Sequence, residues 1–166
     1  MKPREYTGAV DARGRRVALV AARFNDFIVG SLIQGACAAW EKHGGSADDL
    51  LIARVPGAFE LPVTARQLAC SGRFDAVITL GCVIRGATSH FDFIAGEAAA
   101  GIARAALDSG VPVIFGVLTV DTAEQALERA ALTRANKGAE FLEAALTTAN
   151  LLAELRALPA ASPVVK

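Results

Sequence analysis

The chain of 166 residues has only two histidines, and one of them, His90, lies in the stretch best equipped for chemistry. That stretch is Thr79-Leu-Gly-Cys-Val-Ile-Arg-Gly-Ala-Thr-Ser-His-Phe-Asp-Phe93. It follows residues 76–80, an apolar, β-branched run of the kind found in a buried parallel strand. Gly81 and Gly86 bracket an expected turn whose backbone can come close to a ligand. Ser89 followed by Asp92 is an N-cap pattern. Gly86, Ala87 and Thr88 would then border the free N–H groups at the positive end of a helix, which suits a phosphate. His90 follows in the first turn, so a proton-transfer group would stand beside an anion pocket.

Strands and helices must alternate to hold that stretch. Residues 16–22 predict a first strand ending at Arg23-Phe24-Asn25-Asp26, where Asn25 or Asp26 can cap a helix over about 27–43. Ile28, Leu32, Ala36 and Trp40 recur on its inner face at helical spacing. Residues 50–55 predict a second strand. Pro56-Gly-Ala-Phe-Glu60 then turns into a second helix, where Pro62 is tolerated in the first turn. A third strand at 76–80 leads to a helix at 91–108. The small face of that helix, Ala98, Gly101, Ile102 and Ala105, permits close packing against another helix. A fourth strand at 113–118 is followed by a short helix at 122–129. A last helix at 137–158 turns Phe141, Ala145, Leu152 and Leu155 inward.

Residues 1–14 read as an edge strand or arm, and 159–166 as a frayed tail. The alternation predicts an α/β fold in a single domain over 1–166. Its form would be a three-layer α/β/α sandwich, flavodoxin-like, with a mostly parallel four-stranded sheet.

Bulk properties narrow the function classes. Lys+Arg and Asp+Glu are both 17, so net charge offers nothing to nucleic acid or anionic lipid. The 53% hydrophobic content is high for a small soluble chain, yet 20% of residues are charged, which assigns the excess to subunit interfaces. The longest uncharged run, 27–40, is short of the ~20 residues that span a bilayer. A charged start without an apolar signal core predicts a cytoplasmic protein. Cys37, Cys70 and Cys82 have neither disulfide nor zinc spacing, and His43 and His90 lack a second ligand, so no metal is expected. No GxxxxGK[ST] or GxGxxG occurs, which removes the usual support for a triphosphate or dinucleotide site.

In a parallel sheet, ligands bind past the carboxyl ends of the strands. Phe24, Ala58-Phe59-Glu60, Cys82 to His90 and the region after Phe115 are the candidates. Phe24 at a strand-to-helix turn is either a core ring or an exposed platform for a flat heterocycle. Glu60 can simply favour a helix start, and Thr88 and Ser89 can simply cap. Arg129 and Lys137 would ordinarily be solvated. These residues define a small α/β enzyme binding a phosphorylated compound.

Six blocks in register resemble the 6,7-dimethyl-8-ribityllumazine synthase family: Arg23-Phe24-Asn25, Val55-Pro-Gly-Ala-Phe-Glu60, Leu80-Gly-Cys-Val-Ile-Arg-Gly-Ala-Thr-Ser-His-Phe91, Pro112-Val-Ile-Phe-Gly116, Glu128-Arg129 and Asn136-Lys-Gly138. The resemblance covers about residues 14–155. It implies condensation of 5-amino-6-ribitylaminouracil with 3,4-dihydroxy-2-butanone 4-phosphate, losing phosphate and water, without metal or organic cofactor. It also implies that Phe24 stacks on the pyrimidine and that Ala58, Phe59 and Glu60 line the ribityl chain. The backbone of Cys82, Val83 and Ile84 would pair with the pyrimidine edge. Ala87 and Thr88 would hold the phosphate with Arg129, and His90 would move protons.

The family resemblance further implies homopentamers with sites shared between neighbours, so that Phe115, Arg129 and Lys137 reach in from the adjacent chain. The small face of the helix at 91–108 would lie around the five-fold axis. Some members build icosahedral shells that can enclose riboflavin synthase, which uses the product. Shell formers often carry Gly-Thr-Lys-x-Gly before Asn-Lys-Gly. This chain has Ala131-Leu-Thr-Arg-Ala135, keeping the length and losing the glycines. The competing expectation is a non-catalytic flavin-binding shell of the same fold.

Overall fold

The computed structural model describes residues 2–159, so the expected tail lies almost wholly outside the described residues. The strands are β1 (Val17–Ala22), β2 (Leu50–Val55), β3 (Ala76–Ile84) and β4 (Val113–Val120). The helices are α1 (Asp26–Lys42), α2 (Leu61–Ala69), α3 (His90–Ser109), α4 (Ala123–Ala130) and α5 (Lys137–Arg156), with a 3₁₀ turn at Ala58–Glu60 before α2. The strand order is β2-β1-β3-β4 and every pairing is parallel. Chain direction across the sheet therefore reverses between β1 and β3, the switch point where such sheets open a crevice.

Two cores flank the sheet, which gives the three layers. Side chains alternate across each strand. Leu19, Ala21, Ile78 and Leu80 face one side and meet Leu32, Ala36 and Trp40 of α1, Ala126 of α4 and Leu142 and Leu146 of α5. Ala18, Val20, Val77 and Val117 face the other and meet Leu61 and Ala65 of α2 and Ala98 and Ile102 of α3. The α1 stripe lies inward as its spacing predicts. In α5 the stripe is instead Leu142, Ala145, Leu146 and Ala149; Phe141 and Leu152 are half-buried and Leu155 is exposed. The apolar residues of α5 cover more than one face, and contact with α1 selects the face that is buried.

Two expectations change. The turn expected at Gly81 does not exist: β3 continues to Ile84 because β4 pairs with it from Val77↔Val113 to Ile84↔Val120. Gly81 is closely packed, since a Cβ there would lie 3.1 Å from Leu61 Cδ1. The small face of α3 packs within the chain, because a Cβ at Gly101 would sit 2.7 Å from the Pro62 ring of α2. The outward face of α3, with exposed Phe93 and Leu107, is a different one. Of the two alternatives for the N-terminal residues, an edge strand or an arm, the described ones form the arm. Asn150 of α5 donates to Ala9 O at 2.7 Å and Asp11 O at 2.9 Å, which uses backbone acceptors that a strand would have committed to a neighbour. Among the described residues no helix is long and apolar enough to cross a membrane.

Candidate active site

The carboxyl ends of β1, β2 and β3 converge on one cleft of about 430 Å³ at the switch point. Just after β1 comes Phe24, 72% exposed and lining the cleft. Its backbone N–H donates to Pro56 O (3.1 Å), and Arg23 N to Val55 O (2.8 Å), so the end of β2 fixes the loop. Asn25 occupies the N-cap of α1 in the left-handed region (φ 57°). Its side chain does not cap. Instead, Nδ2 donates to Cys82 O at 2.9 Å and ties the start of α1 to the end of β3.

After β2, Ala58, Phe59 and Glu60 form the second wall. The Glu60 carboxylate accepts from Gly57 N at 2.9 Å, which closes the turn and holds the carboxylate at the cleft. The third wall is Cys82, Val83 and Ile84. Here the longer β3 matters. β1 pairs with β3 only as far as Ala21↔Leu80, while β4 pairs to Ile84↔Val120. One backbone edge of β3 therefore projects past β1. Val77 N and Arg85 N donate toward β4, and Cys82 O faces Asn25 on the other side. Positions 82 and 84 thus turn their backbone groups to the open edge, while 83 turns its groups to the β4 ladder. Burial pushes the Cys82 thiol up to about 11, leaving it neutral near pH 7.

Gly86, Thr88 and His90 complete the cleft at the N-terminus of α3. Ser89 occupies the cap position without capping, because its backbone is already helical (φ −69°, ψ 0°). Thr88 takes that place with a long contact, accepting from His90 N at 3.4 Å. Asp92, expected to support the first turn, pairs with Arg85 at 3.1 Å. Thr88 and His90 are exposed at the rim.

Nine of the expected residues thus share one cleft: Phe24, Ala58, Phe59, Glu60, Cys82, Val83, Ile84, Thr88 and His90. Four do not line it. Ala87 sits in the loop but outside the lining, Phe115 is exposed on β4, Arg129 is on α4 and Lys137 opens α5. Arg129 donates to its own Gln125 O at 3.1 Å, and Lys137 pairs with Glu140. No Lys or Arg is among the described residues lining the cleft. Phe91 and Ile94 were missed as lining residues. The three-to-four-residue helical spacing from His90 was the available signal for Ile94.

An all-parallel sheet with an aromatic platform, a carboxylate and an imidazole around its switch-point crevice defines a small-molecule enzyme of the three-layer α/β class. Comparison with known proteins then narrows the class. A profile of 6,7-dimethyl-8-ribityllumazine synthase matches residues 14–153. Proteins named 6,7-dimethyl-8-ribityllumazine synthase from Nitratidesulfovibrio vulgaris (strain DP4) and Nitratidesulfovibrio vulgaris (strain DSM 19637 / Miyazaki F) are each 53% identical over 148 residues. Each alignment covers 89% of this chain and 95% of the relative. The chain belongs to the 6,7-dimethyl-8-ribityllumazine synthase family. The family is one of transferases in riboflavin biosynthesis, and the reading of the sequence as one of its enzymes stands. A non-catalytic shell is not favoured.

Proposed function

We propose that the protein condenses 5-amino-6-ribitylaminouracil with 3,4-dihydroxy-2-butanone 4-phosphate to 6,7-dimethyl-8-ribityllumazine, releasing phosphate and water, in the cytoplasm. The observation that carries this reading is the single cleft fed by three separate loops, which brings Phe24, Glu60, Thr88 and His90 together. The pyrimidine stacks on Phe24, and its polar edge pairs with the open backbone edge at Cys82 and Ile84. The ribityl chain runs past Ala58 and Phe59 to Glu60, whose carboxylate has acceptor capacity beyond its bond to Gly57. The phosphate sits on the N–H groups at the start of α3, beside Ala87 and Thr88. His90 moves protons as the amine adds to the ketone and as phosphate departs, while juxtaposition of the two substrates supplies much of the remaining acceleration.

The missing cation motivates the second part of the proposal. In a homopentamer, Phe115, Arg129 and Lys137 of a neighbouring copy close the site, and Arg129 supplies charge-assisted hydrogen bonds to the phosphate. Exposed Val63, Phe93 and Leu107 on the α2–α3 layer offer apolar surface for such an assembly. The turn at 131–135 forms without glycine, with Asn136 taking the left-handed position (φ 42°), so loss of the glycines does not disrupt it. Growth of lumazine absorbance on mixing both substrates with the protein tests the reaction. Wild type is expected to turn over, and His90→Ala to be slower by about 10²–10⁴-fold. No product above the uncatalysed background from wild type would overturn the reading.

A further inference from the structure

Arg85 stands at the root of the loop that carries Thr88 and His90, yet it does not line the cleft. Its backbone N–H donates to Val120 O at 2.9 Å, extending the β3–β4 ladder by one step. Nε reaches Asp121 Oδ1 at 3.2 Å, Nη1 reaches Asp92 Oδ1 at 3.1 Å, and the guanidinium carbon lies 4.1 Å from the centre of the Phe91 ring. Asp121 follows β4, while Phe91 and Asp92 belong to the first turn of α3. A single side chain therefore joins the ends of two strands to the start of the helix. Residues 86–89 hang between these anchors. Their hydrogen bonds to the helix start are the 3.4 Å contact from His90 N to Thr88 Oγ1 and a 3.1 Å bond from Asp92 N to Ser89 O.

The guanidinium directs Nε to Asp121 and Nη1 to Asp92 and lies over the Phe91 ring, so its charge is offset by two carboxylates and not aimed at a third anion. We infer that Arg85 is a positioning residue for the phosphate-bearing substrate: it fixes the loop at 86–89 and the His90 ring, while Asp92 and Asp121 keep its charge away from the phosphate. This rests on the proposed reaction for its substrate. Lys in the same place would keep the charge but lose the planar fork and the stacking.

The test compares Arg85→Gln, Arg85→Lys and Asp121→Asn with wild type in steady-state kinetics, inorganic phosphate competition and fluorescence titration with the lumazine product. All three variants are expected to raise KM for the ketone phosphate and weaken inorganic phosphate by about tenfold. In Arg85→Gln, kcat/KM falls by up to about 10²-fold, the scale of a misplaced reacting group. KM for the pyrimidine and lumazine affinity stay unchanged, since Phe24, Ala58–Glu60 and the edge of β3 are anchored elsewhere. Wild-type behaviour of Arg85→Lys, or tighter phosphate binding by Asp121→Asn, would show a direct phosphate ligand and overturn the inference. Parallel loss of lumazine affinity in Arg85→Gln would reduce the residue to general support and overturn it as well. Lack of turnover in wild type would refute the reaction instead, while the phosphate and lumazine titrations would still decide the role of Arg85.

Discussion

The two ends of the cleft are built differently. At the end proposed for the heterocycle, buried residues set the walls: Ala58 and Cys82 are buried, Asn25 bonds Cys82 O, and Glu60 bonds Gly57 N. At the end proposed for the phosphate, residues 86–90 are all exposed, and no Lys or Arg lines the described cleft. On the proposed reading, one chain supplies the surface for the flat, hydrogen-bonding ring and a neighbouring copy supplies the cation for the phosphate. That reading makes turnover depend on assembly and product binding far less so.

Substitutions at each end should separate these properties. Arg129→Ala, acting at the anion end, is expected to lower turnover by about 10²-fold, the scale of losing a charge-stabilising group. Lumazine affinity should hold, and equal loss of both by titration and rate assay would erase the distinction. A smaller effect is expected at the other end. Phe24→Ala should raise KM for the pyrimidine about tenfold, in line with the stacking energy of a base on an aromatic ring. KM for the ketone phosphate should stay near wild type, and Phe24→Trp should recover the loss. The smallest effect concerns Cys82. With its thiol raised to about 11, only about one molecule in a thousand carries the thiolate at pH 8. Alkylation followed by mass spectrometry should modify exposed Cys70 first, with the Cys82 rate climbing about tenfold per pH unit below that value.

The same contrast explains what the sequence disclosed. Strand alternation and the stripe on α1 come from burial, which periodicity reports directly, and the walls at Phe24 and Ala58–Glu60 follow strand ends that the pattern locates, whereas Cys82–Ile84 lie on the part of β3 beyond the expected strand. Local glycine chemistry misled at Gly81, where a turn was expected and the glycine instead lies against Leu61, because a turn signal cannot be told from a packing signal within a short window. At Gly101 the expected close packing against another helix is found, on Pro62 of α2. Ser89 failed as a cap because its backbone is already helical, which residue type alone does not reveal. The role of Arg85 depends on Asp121, 36 positions away, and only the β3–β4 pairing brings them together.

We propose above all that two copies of the chain share one site, with His90 from one and Arg129 from the other. The most direct measurement is lumazine formation by His90→Ala and Arg129→Ala variants, each alone and then co-assembled in equal amounts. Each alone should be nearly inactive. Random co-assembly would restore about a quarter of wild-type turnover, because one site in four would pair an intact His90 with an intact Arg129 from a neighbour. No recovery from verified mixed assemblies would place both residues' work within a single chain and contradict the account.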